Sequence, residues 1–183
     1  SKMHKLLLIY TGGTIGMITN AQTGALENFD FDHLYAHIPE LKRFDLDIHV
    51  KSFDIPLDSS ELGMTHWQEL ATWISTAYQD FDGFVILHGS DTMSYSAAAL
   101  SFMCENLSKP IIFTGSQLPI GDLRTDAKEN LITSIQLAAL KDKGKAIIQE
   151  VGLYFEYKLY RGNRTTKINA AHFEAFESLN YAP

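Results

Sequence analysis

The sequence predicts a doubly wound, mostly parallel α/β sheet with helices on both faces. Three observations carry this reading. Short apolar runs alternate with longer stretches whose apolar residues recur at helical spacing, the pattern of strands joined by crossover helices. Two of those runs lead straight into glycine turns: T-G-G-T-I-G at Thr11 to Gly16, and H-G-S-D-T at His88 to Thr92. At 183 residues the chain is long enough for one well-buried core.

The first run, Lys5 to Tyr10 (K-L-L-L-I-Y), is apolar on both faces and reads as a central strand. Phe31 to Ile38 reads as a short helix stopped by Pro39, and Leu46 to Phe53 as a second strand. Met64 to Tyr78 places Trp67, Leu70, Ala71, Ile74, Ala77 and Tyr78 on one helical face, with Thr65 as its N-cap. Gly83 to Leu87 is a third strand, Met93 to Leu107 an alanine-rich helix, and Asn106 to Lys109 its exit before Pro110. Ile111 to Thr114 is a fourth strand and Thr125 to Leu140 a further helix. Ile147 to Phe155 supplies one or two more strands. The whole reads as a Rossmann- or flavodoxin-like sheet, a fold that keeps its chemistry in loops at the strand ends.

Composition narrows the function. A net charge of −7 argues against nucleic acid, and no run approaches membrane-spanning length. The N-terminus lacks a signal-peptide pattern and the one cysteine forbids an internal disulfide, so a cytoplasmic origin is expected. Cys104, in an apolar helical stretch, reads as a buried structural thiol. His33 and His37 share a helix face but lack the glutamate and third ligand of a zinc site, so neither metal nor cofactor is expected.

The first glycine turn is neither a dinucleotide fingerprint nor a phosphate loop. It is either a plain turn capped by Thr14, or a mount for Thr14 as an exposed nucleophile beside backbone N–H groups that hold an oxyanion. The second turn is not the hydrolase G-x-S-x-G elbow. Ser90, Asp91 or Thr92 caps the following helix, or Asp91 stays ionised there and binds an ammonium group or orients a lysine. Asp58-Ser59-Ser60-Glu61 and Thr114-Gly115-Ser116-Gln117 are two further polar strand ends. Arg161 to Lys167 reads as a solvated basic loop.

Together these motifs resemble the bacterial-type L-asparaginase family. Leu8 to Gly16 matches one family signature and Gly83 to Met93 the other, apart from one residue. Thr114 to Gln117 and Tyr160 to Lys167 look like the cytoplasmic type I branch. The resemblance covers residues 1–183 as the family's N-terminal catalytic domain, without the C-terminal domain. It implies hydrolysis of L-asparagine to L-aspartate and ammonia, with Thr14 as nucleophile and Ser90, Asp91 and Lys167 as the other catalytic group. Ser59 and Ser60 match positions that bind the substrate α-carboxylate, and Gly13, Asp58, Gly89 and Ser116 complete the substrate-binding set. The family's site lies between two subunits of a homodimer or homotetramer, so the isolated domain is expected to be weakly active or inactive. Thr166 falls near a type I allosteric position. Ser90 stands where the family has threonine, and the loop from Ile18 to Phe29 lacks the family's tyrosine. A glutaminase–asparaginase of mixed specificity and a non-catalytic asparagine-binding domain are the alternative readings.

Overall fold

The computed structural model describes residues 3–28, 30, 34–57 and 63–164. Its centre is a six-stranded sheet. The strands are β1 (His4–Gly12), β4 (Leu46–Leu57), β5 (Gly83–Leu87), β6 (Ile111–Thr114), β9 (Val151–Phe155) and β10 (Lys158–Arg161). Two small ribbons pair β2 (Met17–Thr19) with β3 (Leu26–Asn28) and β7 (Lys141–Asp142) with β8 (Lys145–Ala146). The helices are α1 (Leu34–His37), α2 (Met64–Ala77), α3 (Met93–Met103) and α4 (Ala127–Ala139).

The sheet order is β10-β9-β6-β5-β1-β4, and every neighbouring pair except β9–β10 is parallel. Counted along the chain, the parallel strands run 2-1-3-4-5, the flavodoxin-like order. The order reverses between β1 and β5, and the crevice beyond the strand ends there is where such sheets bind ligands. Both glycine turns leave the sheet at this point.

The strands are continuous apolar runs because both faces are covered. Leu6, Leu8 and Tyr10 of β1 pack with Val85, Leu87, Ile112 and the α4 residues Leu131 and Ile135. Leu7 and Ile9 turn the other way, toward Phe84, Ile86, Phe113, Leu70 and Ile74 of α2, and Ala97 and Leu100 of α3. Each large side chain fully buried in these layers contributes about 1.5–3 kcal/mol.

Several element limits differ from expectation. The α2 helix starts at Gly63, whose carbonyl accepts from the N–H groups of His66 and Trp67, and Thr65 is an exposed helical residue rather than the cap. The α3 helix stops at Met103, because Cys104 is already extended and Asn106 takes a left-handed conformation (φ 55°) that turns the chain toward β6. Cys104 is consequently half-buried, and burial still pushes its thiol pKa up. The basic stretch after Phe155 begins with β10, an antiparallel strand. The hairpin turns on Glu156 and Tyr157, both at positive φ (51° and 64°). The loop expected from Ile18 to Phe29 holds most of the β2–β3 ribbon, its turn tied by Asn20 Oδ1 accepting from Gln22 N and Thr23 N. His37 is exposed, while His33 lies outside the described residues.

Candidate active site

Three strand-end turns stack side by side beyond β1, β5 and β6. The first is anchored by Thr11, whose buried hydroxyl donates to Leu87 O at 2.8 Å and so ties the end of β1 to the end of β5. Gly13 sits at φ +93°, and a Cβ built on it would lie 2.5 Å from both Cα and N of Gly89. Only a glycine permits this backbone to sit against the second turn. Thr14 then opens a single 3₁₀ turn (Thr14–Gly16), with Ile15 fully buried as its anchor and Thr14 half-buried.

The second turn is held through His88, which is 1% exposed. Its Nδ1 faces Gly89 O at 2.8 Å, and a carbonyl only accepts, so Nδ1 carries the proton. Nε2 then accepts from Ser96 Oγ at 2.8 Å, and Ser96 Oγ accepts in turn from Trp67 Nε1 at 2.8 Å. Burial pushes the His88 pKa down, consistent with this neutral tautomer. Beyond Gly89, Ser90 is half-buried and Asp91 exposed. Thr92 is the N-cap residue of α3, yet its side chain makes no capping hydrogen bond. Thr92 Oγ1 is buried and makes no hydrogen bond among the described residues. The Thr92 hydroxyl is therefore not consumed by capping, one of the roles the sequence allowed it.

The third turn packs on the second. A Cβ on Gly115 would lie 2.4 Å from His88 O and 3.5 Å from Ser90 N. Asn130 of α4, 3% exposed, donates from Nδ2 to Gly115 O at 2.8 Å. Ser116 is 1% exposed and donates its hydroxyl to Leu118 O at 2.7 Å. Asp126 accepts from Gln117 N at 2.9 Å and from Leu118 N at 3.1 Å. The loop thus owes its shape to the start of α4.

The structure brings Gly13, Thr14, Gly89, Ser90, Asp91 and Ser116 together at the switch point. Asp58, Ser59, Ser60 and Lys167 lie outside the described residues. Sequence reasoning passed over Tyr10, Ser96, Asp126 and Asn130. The D-x-x-x-N spacing of Asp126 and Asn130, one turn apart on a helix face, was the available signal for that pair.

Fold and site define the class: a doubly wound α/β domain with hydroxyl-bearing turns at its topological switch point. The chain belongs to the asparaginase family, since the family model "Asparaginase, N-terminal" matches residues 5–183. It is 45% identical over 179 residues to L-asparaginase 1 of Escherichia coli (strain K12), covering 97% of this chain and 52% of that protein. It is 40% identical over 201 residues to the 60 kDa lysophospholipase of Mus musculus, covering 98% of this chain and 35% of that one. The crystal structure of L-asparaginase I from Vibrio cholerae superposes with a TM-score of 0.77 at 42% identity, over 89% of this chain and 48% of that one. The chain spans about half the length of the bacterial relatives it matches.

Proposed function

We propose that this chain is the N-terminal catalytic domain of an L-asparaginase, hydrolysing L-asparagine to L-aspartate and ammonia through Thr14. The observation that carries the reading is the seat of Gly13 on Gly89, which sets the Thr14 turn directly beside the Ser90–Asp91 turn. Family membership agrees with it.

The chemistry is acyl transfer in two halves. Thr14 Oγ attacks the side-chain amide carbon of asparagine and gives up its proton. The tetrahedral oxyanion collapses, the C–N bond breaks, and the nitrogen leaves as ammonia once it has taken a proton. Water then attacks the aspartyl ester on Thr14 and releases L-aspartate with the threonine restored. Lys167 accepts the proton through the Ser90 hydroxyl and returns it. Asp91 is exposed at the mouth of the site and takes the substrate ammonium group. Ser59 and Ser60 take the α-carboxylate, and Gly13, Asp58, Gly89 and Ser116 complete the substrate-binding set. The reaction as written calls on no cofactor.

The rest of the pocket is assigned to a C-terminal domain, supplied by the partner subunit in a homodimer or homotetramer. A cytoplasmic location fits the single cysteine. No helix among the described residues is long and apolar enough to cross a membrane.

The test is ammonia release from L-asparagine and, in parallel, L-glutamine, by the full-length protein and by residues 1–183. The reading expects turnover of asparagine by the full-length protein and little by the fragment. Equal turnover of both amides moves the protein to mixed specificity. Calorimetric binding of asparagine with no ammonia from either amide makes it a binding domain.

A further inference from the structure

Each of the three stacked turns has the same local construction. A glycine precedes a hydroxyl residue: Gly13–Thr14, Gly89–Ser90 and Gly115–Ser116. The carbonyl of each glycine is held by a buried side chain. Tyr10 Oη donates to Gly13 O at 2.9 Å, His88 Nδ1 to Gly89 O at 2.8 Å, and Asn130 Nδ2 to Gly115 O at 2.8 Å. The three donors are 2%, 1% and 3% exposed, and they come from the body of β1, the end of β5 and α4. In a trans peptide the C=O and the following N–H point in opposite directions, and every described peptide is trans. A carbonyl drawn inward to a buried donor therefore turns the next residue's N–H outward.

We propose that Tyr10 and His88 are positioning residues, which aim the backbone N–H groups of Thr14 and Ser90 at the charge that develops on the substrate; Ser116, 1% exposed, lies too deep to present its own. This rests on the amidohydrolase reading, in which an oxyanion forms as Thr14 attacks. Pre-aimed backbone dipoles are the groups that stabilise such an anion most. Each donor is itself fixed. The Tyr10 ring lies under the first turn, so close that a Cβ on Gly16 would fall 2.2 Å from it. His88 is locked by Ser96 and Trp67. Asn130 lies within α4, bonded from its own N–H to Asp126 O at 3.1 Å.

The test uses side-chain substitutions in the full-length protein. Tyr10→Phe removes one oxygen and keeps the ring, and Gly13 O retains its second bond from Gly16 N at 3.2 Å. The expected result is a kcat on L-asparagine lowered roughly 10- to 100-fold, with KM within about threefold. His88→Gln, which keeps an amide donor, should retain more of kcat than His88→Leu. Unchanged kcat in Tyr10→Phe, or a loss confined to KM, overturns the proposal. If the wild-type protein releases no ammonia, the amidohydrolase reading has failed, and the positioning claim is judged on the ¹⁵N and ¹H shifts of the Thr14 amide. A displaced Thr14 amide resonance in Tyr10→Phe supports it, and an unmoved one overturns it.

Discussion

Gly13 and Gly89 meet backbone to backbone: a side chain on the first would lie 2.5 Å from the Cα of the second. They follow different strands and are 76 residues apart, yet this contact makes one site of two turns. The neighbouring bond from Thr11 Oγ1 to Leu87 O, at 2.8 Å, clamps the same two strand ends.

The contact has a direct mutational consequence. Gly13→Ala forces a Cβ into a backbone that cannot yield and strains a residue at φ +93°. Both costs act together, so a loss of about 3–5 kcal/mol is expected, or an expressed chain that fails to fold. Gly24→Ala is the control: Gly24 has φ +70° but nothing within 4 Å of its Cβ position. It bears the conformational cost alone, about 1 kcal/mol. Urea denaturation of the two variants separates close approach from left-handed strain.

The Trp67–Ser96–His88 chain predicts a second result. Ser96→Ala removes the acceptor for Trp67 Nε1 and the donor to His88 Nε2, leaving two buried polar groups without partners. The expected loss is about 2–4 kcal/mol, against about 1–2 for Trp67→Phe, which leaves one hydroxyl lone pair unfilled. Chemical denaturation of both variants measures the difference.

Stability should fall on mild acidification. Burial holds His88 and His4 below the ordinary value of 6.5 in the folded chain. Below pH 6.5 the unfolded chain therefore binds protons that the folded chain does not. The stability from these two residues is complete above 6.5 and is lost as pH falls toward their folded pKa values. Melting curves between pH 7.5 and 5 should show the decline, and His88→Gln should reduce it. An acid-side profile identical in wild type and variant contradicts the assignment to His88.

At the alkaline end Tyr10 sets the limit. Burial raises its pKa from 10.0 to about 12, so the phenol stays a donor to Gly13 O well above the point where a free tyrosine ionises. Its stabilisation is full below pH 10 and disappears as pH rises through 12, amounting to on the order of 2–3 kcal/mol. Spectrophotometric titration at the phenolate band should show one late-titrating tyrosine, absent in Tyr10→Phe.

Much of this was legible in the sequence because burial on both faces writes strands as unbroken apolar runs. Gly83–Leu87 and Ile111–Thr114 stand where those runs predict them. The β9–β10 hairpin was hidden because Glu156-Tyr157 replaces the Asn-Gly or Asp-Gly that normally announces such a turn. The α3 exit was misplaced because the backbone leaves the helix at Cys104, before Asn106 and the proline that announce a turn. The glycine turns and their hydroxyls were visible, but their supports were not. Tyr10 reads as the last apolar residue of a strand until the chain doubles back over it. Asn130 reaches 15 residues back to Gly115, and Trp67 reaches Ser96 across 29. No local periodicity records such pairings.

The account turns on Thr14, and the most direct measurement is ammonia release from L-asparagine by full-length Thr14→Ala beside the wild type. A lost nucleophile predicts turnover lower by at least ~10³-fold with L-aspartate binding retained, because the stacked turns remain in place. Turnover near the wild-type rate in the folded variant contradicts it.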